Sequence, residues 1–206
     1  MYGSFCIAGN QYTLDSSTGE VIKVQYIPKY YSQKDSRWAY ITYGRSNMGN
    51  TGCAPTSMAM AFTSILEKDV LPPHVADYLY YETNEYNKKD SGTSGMGIIY
   101  ASERFNIAYE RLNTKEQLVN ALSQGKIVFA AMADGKFATK NWNHAILVYY
   151  IEGNKVNTIS ADPLNQLNNG LVPIDTIWRE QSKDPDDTSG GAALYALSPR
   201  IQEITE

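Results

Sequence analysis

The 206-residue chain is poor in reactive side chains: it has two cysteines and two histidines. Cys6, Cys53, His74 and His144 are scattered, with no paired cysteines and no histidine spacing of the zinc or iron type, so a transition-metal site is not expected. A disulfide framework is excluded too, although one Cys6–Cys53 bridge stays open as an alternative. Positive charge is also short. Eighteen Lys and Arg against 22 Asp and Glu leave a net charge of −4, so no basic field invites nucleic acid or an anionic membrane. No run approaches the ~18 apolar residues of a membrane span, and no membrane insertion is expected. The N-terminus, Met1 to Cys6, lacks a charged segment followed by an apolar one, so no secretory signal is visible. On that reading the chain is made in the cytosol or is a piece of something longer. Asp184, Asp186 and Asp187 read as a solvated acidic loop in preference to a calcium site. No cofactor is expected.

What is present is a globular composition, 43% hydrophobic and 19% charged. A chain of this length buries roughly 70% of its unfolded surface and needs no staple to hold a core. The excess residue is tyrosine, sixteen against five phenylalanines. Tyrosine combines apolar area with a polar tip and suits either wet core edges or a groove for a polar polymer.

Residues 1–26 read as a small β-ribbon turning at Gly9-Asn10 and again at Ser16–Gly19, packed on the main body or continuing an upstream module. The main domain, 27–206, divides by period. Cys53–Asp69 is helical, with Met58, Ala61, Phe62, Ile65 and Leu66 on one stripe and Pro55 in the first turn. Pro72-Pro73 open a second helix, residues 84–97 form a loop, and Met96–Phe105 a short helix. Thr114-Lys115-Glu116-Gln117 is a capping box whose helix stops at Gly125. Beyond it the pattern turns strand-like over 126–133, 144–151, 156–161 and 192–198, with a helical turn at 174–179. Helices first and strands after predict an α+β fold with an antiparallel sheet.

Cys53 follows Gly52 at the start of an apolar helix, where backbone N–H groups and the helix dipole favour a thiolate. His144 is the candidate base, at the head of the strand Ala145-Ile146-Leu147-Val148 after Trp142-Asn143. His74, between Pro73 and Val75, reads as a surface residue. Glu152-Gly153-Asn154 is a turn, and a hairpin symmetric about Gly153 sets His144 opposite Asp162. A two-residue turn shifts that pairing by one. In either register a carboxylate lies within a residue of the imidazole, where it can hold the tautomer and stabilise the charged form.

Several segments together resemble the double-glycine-peptidase-like branch of papain-like cysteine peptidases, relatives of bacteriocin-processing peptidases. They are Ile27-Pro28 to Ser32-Gln33-Lys34-Asp35 and Trp38, then Gly52-Cys53-Ala54-Pro55-Thr56-Ser57-Met58, Asn143-His144-Ala145 and Ala161-Asp162-Pro163. The resemblance covers about residues 27–198. It implies a papain-like α+β fold, with N-terminal helices packed on a C-terminal antiparallel sheet. It also implies Cys53 as nucleophile, His144 as base then acid, Asp162 as its orienter and Gln33 as oxyanion donor. By the same reasoning Trp38, Gly52 and Asn143 border the substrate. Ala54 and Asn143 depart from the branch, which has glycine after the cysteine and before the histidine.

Standalone members of this branch look like enzymes that cut peptide cross-links of peptidoglycan, as in phage lysins and autolysins. The expected partner is therefore a peptidoglycan stem or cross-bridge peptide, met outside the cell or in the wall. The aromatic group Tyr30, Tyr31, Trp38, Tyr40 and Tyr43 ahead of Cys53 suits such a groove, and the ribbon faintly resembles a wall-binding repeat. A secreted protease acting on protein or leader peptides, and an inactive binding module on the same fold, are the alternatives.

Overall fold

The computed structural model describes residues 3–88, 91–140 and 142–200. Met1, Tyr2 and residues 201–206, which the sequence reading assigns to the ribbon and the main domain, lie outside them. The chain opens with β1 (Gly3–Ile7), β2 (Asn10–Leu14) and β3 (Val21–Gln25), an antiparallel ribbon. A two-residue pair, β4 (Thr42–Tyr43) and β5 (Ser46–Asn47), leads into α1 (Met48–Thr51) and α2 (Cys53–Leu66). Next come α3 (Pro72–Asp77), a π-helical turn at Tyr78–Glu82, α4 (Gly95–Arg104), β6 (Ile107–Arg111) and α5 (Lys115–Ser123). The last part holds β7 (Ile127–Ala133), β8 (Asn143–Glu152), β9 (Lys155–Ser160), a 3-10 turn at Pro163–Asn168, β10 (Gly170–Pro173), α6 (Ile174–Arg179) and β11 (Leu194–Pro199).

Six strands form one antiparallel sheet in the order β10-β9-β8-β7-β11-β6. The residues of β7 show why a run of apolar side chains suits this strand. Ile127, Phe129 and Ala131 face the cluster built around α2, while Val128, Ala130 and Met132 face Leu118 and Leu122 of α5 and Ile177 of α6. Both faces are covered, so the strand loses the polar alternation of a one-sided sheet. Helix α2 is likewise buried on every side from Ala54 to Ile65, a wider apolar surface than the single stripe in its sequence pattern. Met58, Met60 and Phe62 are fully buried there, each worth roughly 1.5–3 kcal/mol relative to exposure.

The expected capping box forms in full. Thr114 Oγ1 accepts from Gln117 N, and Gln117 Oε1 accepts from Thr114 N at 3.0 Å. Gly125 then ends α5 at φ +81°, and a Cβ there would lie 2.0 Å from Val24 O. That contact belongs to the docking of the ribbon on the main body. Asn10, fully buried, donates through Nδ2 to Ser64 O (2.7 Å) and accepts from Ile27 N (3.1 Å), and Tyr26 N donates to Gly125 O (3.0 Å). Tyr12 O–H meets Glu67, the left-handed cap of α2, and the carboxylate pushes the phenol up to about 12.

Two strands of the six-stranded sheet have no counterpart in the sequence reading, β6 and β10, both at its edges, nor has the short pair β4–β5. Gly170 and Pro173 bound β10, and only an edge tolerates a proline that cannot donate to the ladder. Of the tyrosines, Tyr31, Tyr43, Tyr86 and Tyr195 are buried in the core, and five more pack partly buried against it. Tyr43 is fully buried, donates to Asp77 Oδ1 (2.7 Å) and packs against Tyr80 and Tyr86. Of the aromatic group ahead of Cys53, Tyr31, Trp38 and Tyr43 are buried and only Tyr30 and Tyr40 are exposed.

Candidate active site

Cys53 is the first residue of α2, and the two turns before it explain its position. Asn47 Oδ1 caps α1 by accepting from Asn50 N (3.1 Å), and Gly52 N donates to Met48 O (2.8 Å). A Cβ on Gly52 would sit 2.4 Å from Met48 O and 2.9 Å from its sulfur. The glycine is needed for this close approach, which brings α2 out of the loop with Cys53 at its head. The sulfur faces the backbone N–H of Ala145, on β8.

His144, the second residue of β8, adjoins that contact. The register of the β8–β9 hairpin combines both pairings that the sequence left open. Glu152 pairs with Lys155 across a two-residue turn, and a bulge at Tyr150, at φ +54°, restores the symmetric pairing for Ile146 with Ser160. The ladder ends there, so His144 and Asp162 lie just beyond it. The nearest partner of the imidazole is a serine: His144 Nε2 stands 2.7 Å from Ser160 Oγ. Asp162 caps the 3-10 turn through Oδ1, which accepts from Leu164 N (3.0 Å), and lies 4.0 Å from Lys34 Nζ. Its charge raises the basicity of His144 without a hydrogen bond to it, while burial, the larger effect, pushes the imidazole below 6.5.

The thiol departs from expectation. Burial pushes Cys53 up from its ordinary value of 9.0, and the N–H groups of Ala145 and Ala54 offset this only in part. Asp187 and then Asp162 push in the same direction as burial. Desolvation therefore outweighs the helix terminus at this sulfur.

Cys53 and His144 line one cavity of about 780 Å³, together with Asn143, Ser94, Asp187 and the exposed ring of Trp142. Asn143 and Ser182 hydrogen-bond the Asp187 carboxyl group, whose pKa burial raises. Asp187 was legible only as part of an acidic loop; nothing in its spacing pointed to the nucleophile. Gln33 lies outside that lining, 3% exposed. Its backbone N–H donates to Ala161 O (2.9 Å) and its Nε2 to Gly49 O (3.0 Å), which ties the nucleophile loop to the segment before Asp162. Trp38 is 2% exposed, donates through Nε1 to Ser32 O (2.8 Å) and carries Arg37 over its ring at 4.4 Å. It has no free face for the substrate contact expected of it, because its spacing looked the same for a core tryptophan as for a groove one. Cys6 is exposed in β1 and Cys53 half-buried, both free, which removes the disulfide alternative. Among the described residues no group of three or more His, Cys, Asp or Glu is arranged to hold a metal. No described helix is long and apolar enough to cross a membrane.

A family model described as Peptidase_C39-like matches residues 25–184. The chain belongs to this family. It is a cysteine peptidase of the C39-like type, with a papain-like fold. Two solved structures are similar to this C39-like peptidase. The peptidase domain of Streptococcus ComA, a bifunctional ABC transporter involved in a quorum-sensing pathway, is 15% identical with a TM-score of 0.52. The match covers 73% of this chain and 93% of that one. A C39-like peptidase from Bacillus anthracis is 11% identical with a TM-score of 0.55, over 84% of this chain and 96% of that one. No curated protein matches the chain.

The C39-like peptidase thus carries a carboxylate, Asp187, that opposes ionisation of Cys53. Asp187→Asn preserves an amide for Ser182 and Asn143 and removes the charge. Alkylation of Cys53 by iodoacetamide near pH 7 is expected to quicken about two- to ten-fold. An unchanged or slower rate contradicts that effect.

Proposed function

We propose that this peptidase hydrolyses peptide cross-links of peptidoglycan, outside the cell or in the wall, through Cys53, His144 and Asp162. The observation that carries the catalytic part is the shared cavity, with the sulfur at the head of α2 and the imidazole at the mouth of β8. His144 takes the thiol proton as the Cys53 sulfur adds to the amide carbon. Pro55 has no N–H and Thr56 N donates to Gly52 O, so the N–H groups of Cys53 and Ala54 are those of the first turn that suit the developing oxyanion. Collapse of the adduct breaks the C–N bond, with His144 returning its proton to the leaving amine. Water, deprotonated by His144, then cleaves the thioester and regenerates the thiol. In this scheme Gln33 holds Gly49 and Ala161 in place and acts one step behind the reacting atoms.

The open cavity, lined by Ser94, Asn143 and Asp187 beside apolar walls and with an exposed tryptophan at its edge, supports a peptide substrate with polar groups. Likeness to the ComA peptidase domain favours a second reading, a peptidase acting on protein or leader peptides. Incubation with a panel of purified Gram-positive walls separates the two. Loss of turbidity, with mass spectrometry showing released peptides that carry new amino and carboxyl ends, is the expected result. Intact walls alongside cleavage of an unfolded protein substrate would overturn the wall reading.

A further inference from the structure

We propose that Ser160 is the positioning residue for His144, holding its Nε2 directly, while Asp162 acts on the ring only through its field. This builds on the assignment of Cys53 and His144 as nucleophile and base. Ser160 ends β9 opposite Ile146, so its side chain is the diagonal same-face neighbour of His144, and it is 1% exposed. Its oxygen stands 2.7 Å from Nε2 and accepts from Asp162 N at 3.1 Å. Its own N–H donates to Asn169 Oδ1 at 2.8 Å, so strand end and hydroxyl are both fixed.

The carboxylate that the hairpin places opposite His144 meanwhile turns its Oδ1 to Leu164 N and lies 4.0 Å from Lys34 Nζ. With Nε2 held by Ser160, Nδ1 is the ring nitrogen left for the Cys53 proton. Base catalysis at Nδ1 requires Nε2 to carry the hydrogen and donate it to Ser160 Oγ. Oγ has one lone pair engaged by Asp162 N–H and a second available for that donation. The serine thus selects the working tautomer and receives the imidazolium once the proton has moved. Around His144 the titratable and charged groups are Cys53 from α2, Asp162 from the turn after β9 and Lys34 beyond it, with Asp134, Lys183, Asp184, Asp186 and Asp187 on the same cavity.

The test follows the rate of Cys53 alkylation by iodoacetamide against pH, which needs no substrate. Ser160→Ala, folded by circular dichroism, is expected to slow alkylation at pH 7 about ten-fold and to shift the midpoint, with Ser160→Thr restoring the rate. Asp162→Asn is expected to move the midpoint to lower pH and leave the plateau rate in place. A Ser160→Ala profile that superimposes on wild type, or a folded Thr variant as slow as Ala, overturns the role of Ser160. Should the Ala variant not fold, nitrogen NMR of the wild-type imidazole decides: protonation at Nε2 supports the assignment and protonation at Nδ1 overturns it. Failure of the underlying Cys53–His144 assignment looks different. It would leave wild type with an ordinary thiol titration that His144→Ala does not change.

Discussion

Cys53→Ala is expected to reduce amide hydrolysis by about 10³-fold or more, to the background of the assay. In the proposed mechanism the sulfur forms the acyl-enzyme, and neither the second cysteine nor the hydroxyl of Ser57 is placed to replace it. Cys6 sits in the exposed β1 strand of the ribbon, and Ser57, one turn along α2, has its hydroxyl turned to Ala145 O at 3.4 Å. Alanine fits the site without new contacts, because α2 already carries Ala54, Ala59 and Ala61 at buried positions. A thermal midpoint within a few degrees of wild type is therefore expected alongside the lost activity. Full activity in a folded Cys53→Ala variant would remove the cysteine from the mechanism.

The second large effect is expected at His144. Replacement by alanine removes the proposed proton acceptor, worth about 10²- to 10⁴-fold at neutral pH. The pH profile carries the sharper signature. In wild type, burial lowers the imidazole below 6.5 against the opposing pull of Asp162, so the ring stays neutral and basic into mildly acid solution. The acid limb of kcat/KM is then expected below pH 6.5, with activity present above it and lost as pH falls through the lowered value. In His144→Ala the sulfur must ionise unaided. Its pKa is pushed above 9.0, so residual activity is expected to climb only in strongly alkaline solution. A variant with the same acid limb as wild type would show that another group titrates there. Kinetics against a fluorogenic peptide over a wide pH range give both curves.

Much of the scaffold was legible because the local signals were strong and agreed. The apolar run of α2, the Thr114 capping box, the Gly125 stop and the β-branched strands each satisfy one physical demand, and tertiary packing reinforces them. Edge strands β6 and β10 were not legible, since a short strand covered on one side carries little periodicity. The hairpin is instructive. Turn residues alone permit two registers, and the Tyr150 bulge lets the chain use both, one near the turn and one near His144.

The site divides in the same way. Cys53 and His144 were legible from helix and strand boundaries, and the chain brings them to one cavity. What sits around them depends on the third dimension. Ser160 is an ordinary strand residue by sequence, and Asp187 belongs to an acidic loop far along the chain. Trp38 looks the same in sequence whether its ring is buried or exposed. The environment of Cys53 is legible in part for a related reason: a helix start is visible in sequence, but the burial that opposes it is not.

The most direct measurement is how His144→Ala changes the rate at which each thiol reacts. Peptide mass spectrometry after timed exposure to iodoacetamide at about pH 6.5 reports the alkylation of Cys53 and Cys6 separately. If His144 takes the Cys53 proton, His144→Ala slows alkylation of half-buried Cys53 and leaves exposed Cys6 at its wild-type rate. A Cys53 rate that survives His144→Ala unchanged contradicts a nucleophile–base pair at this site.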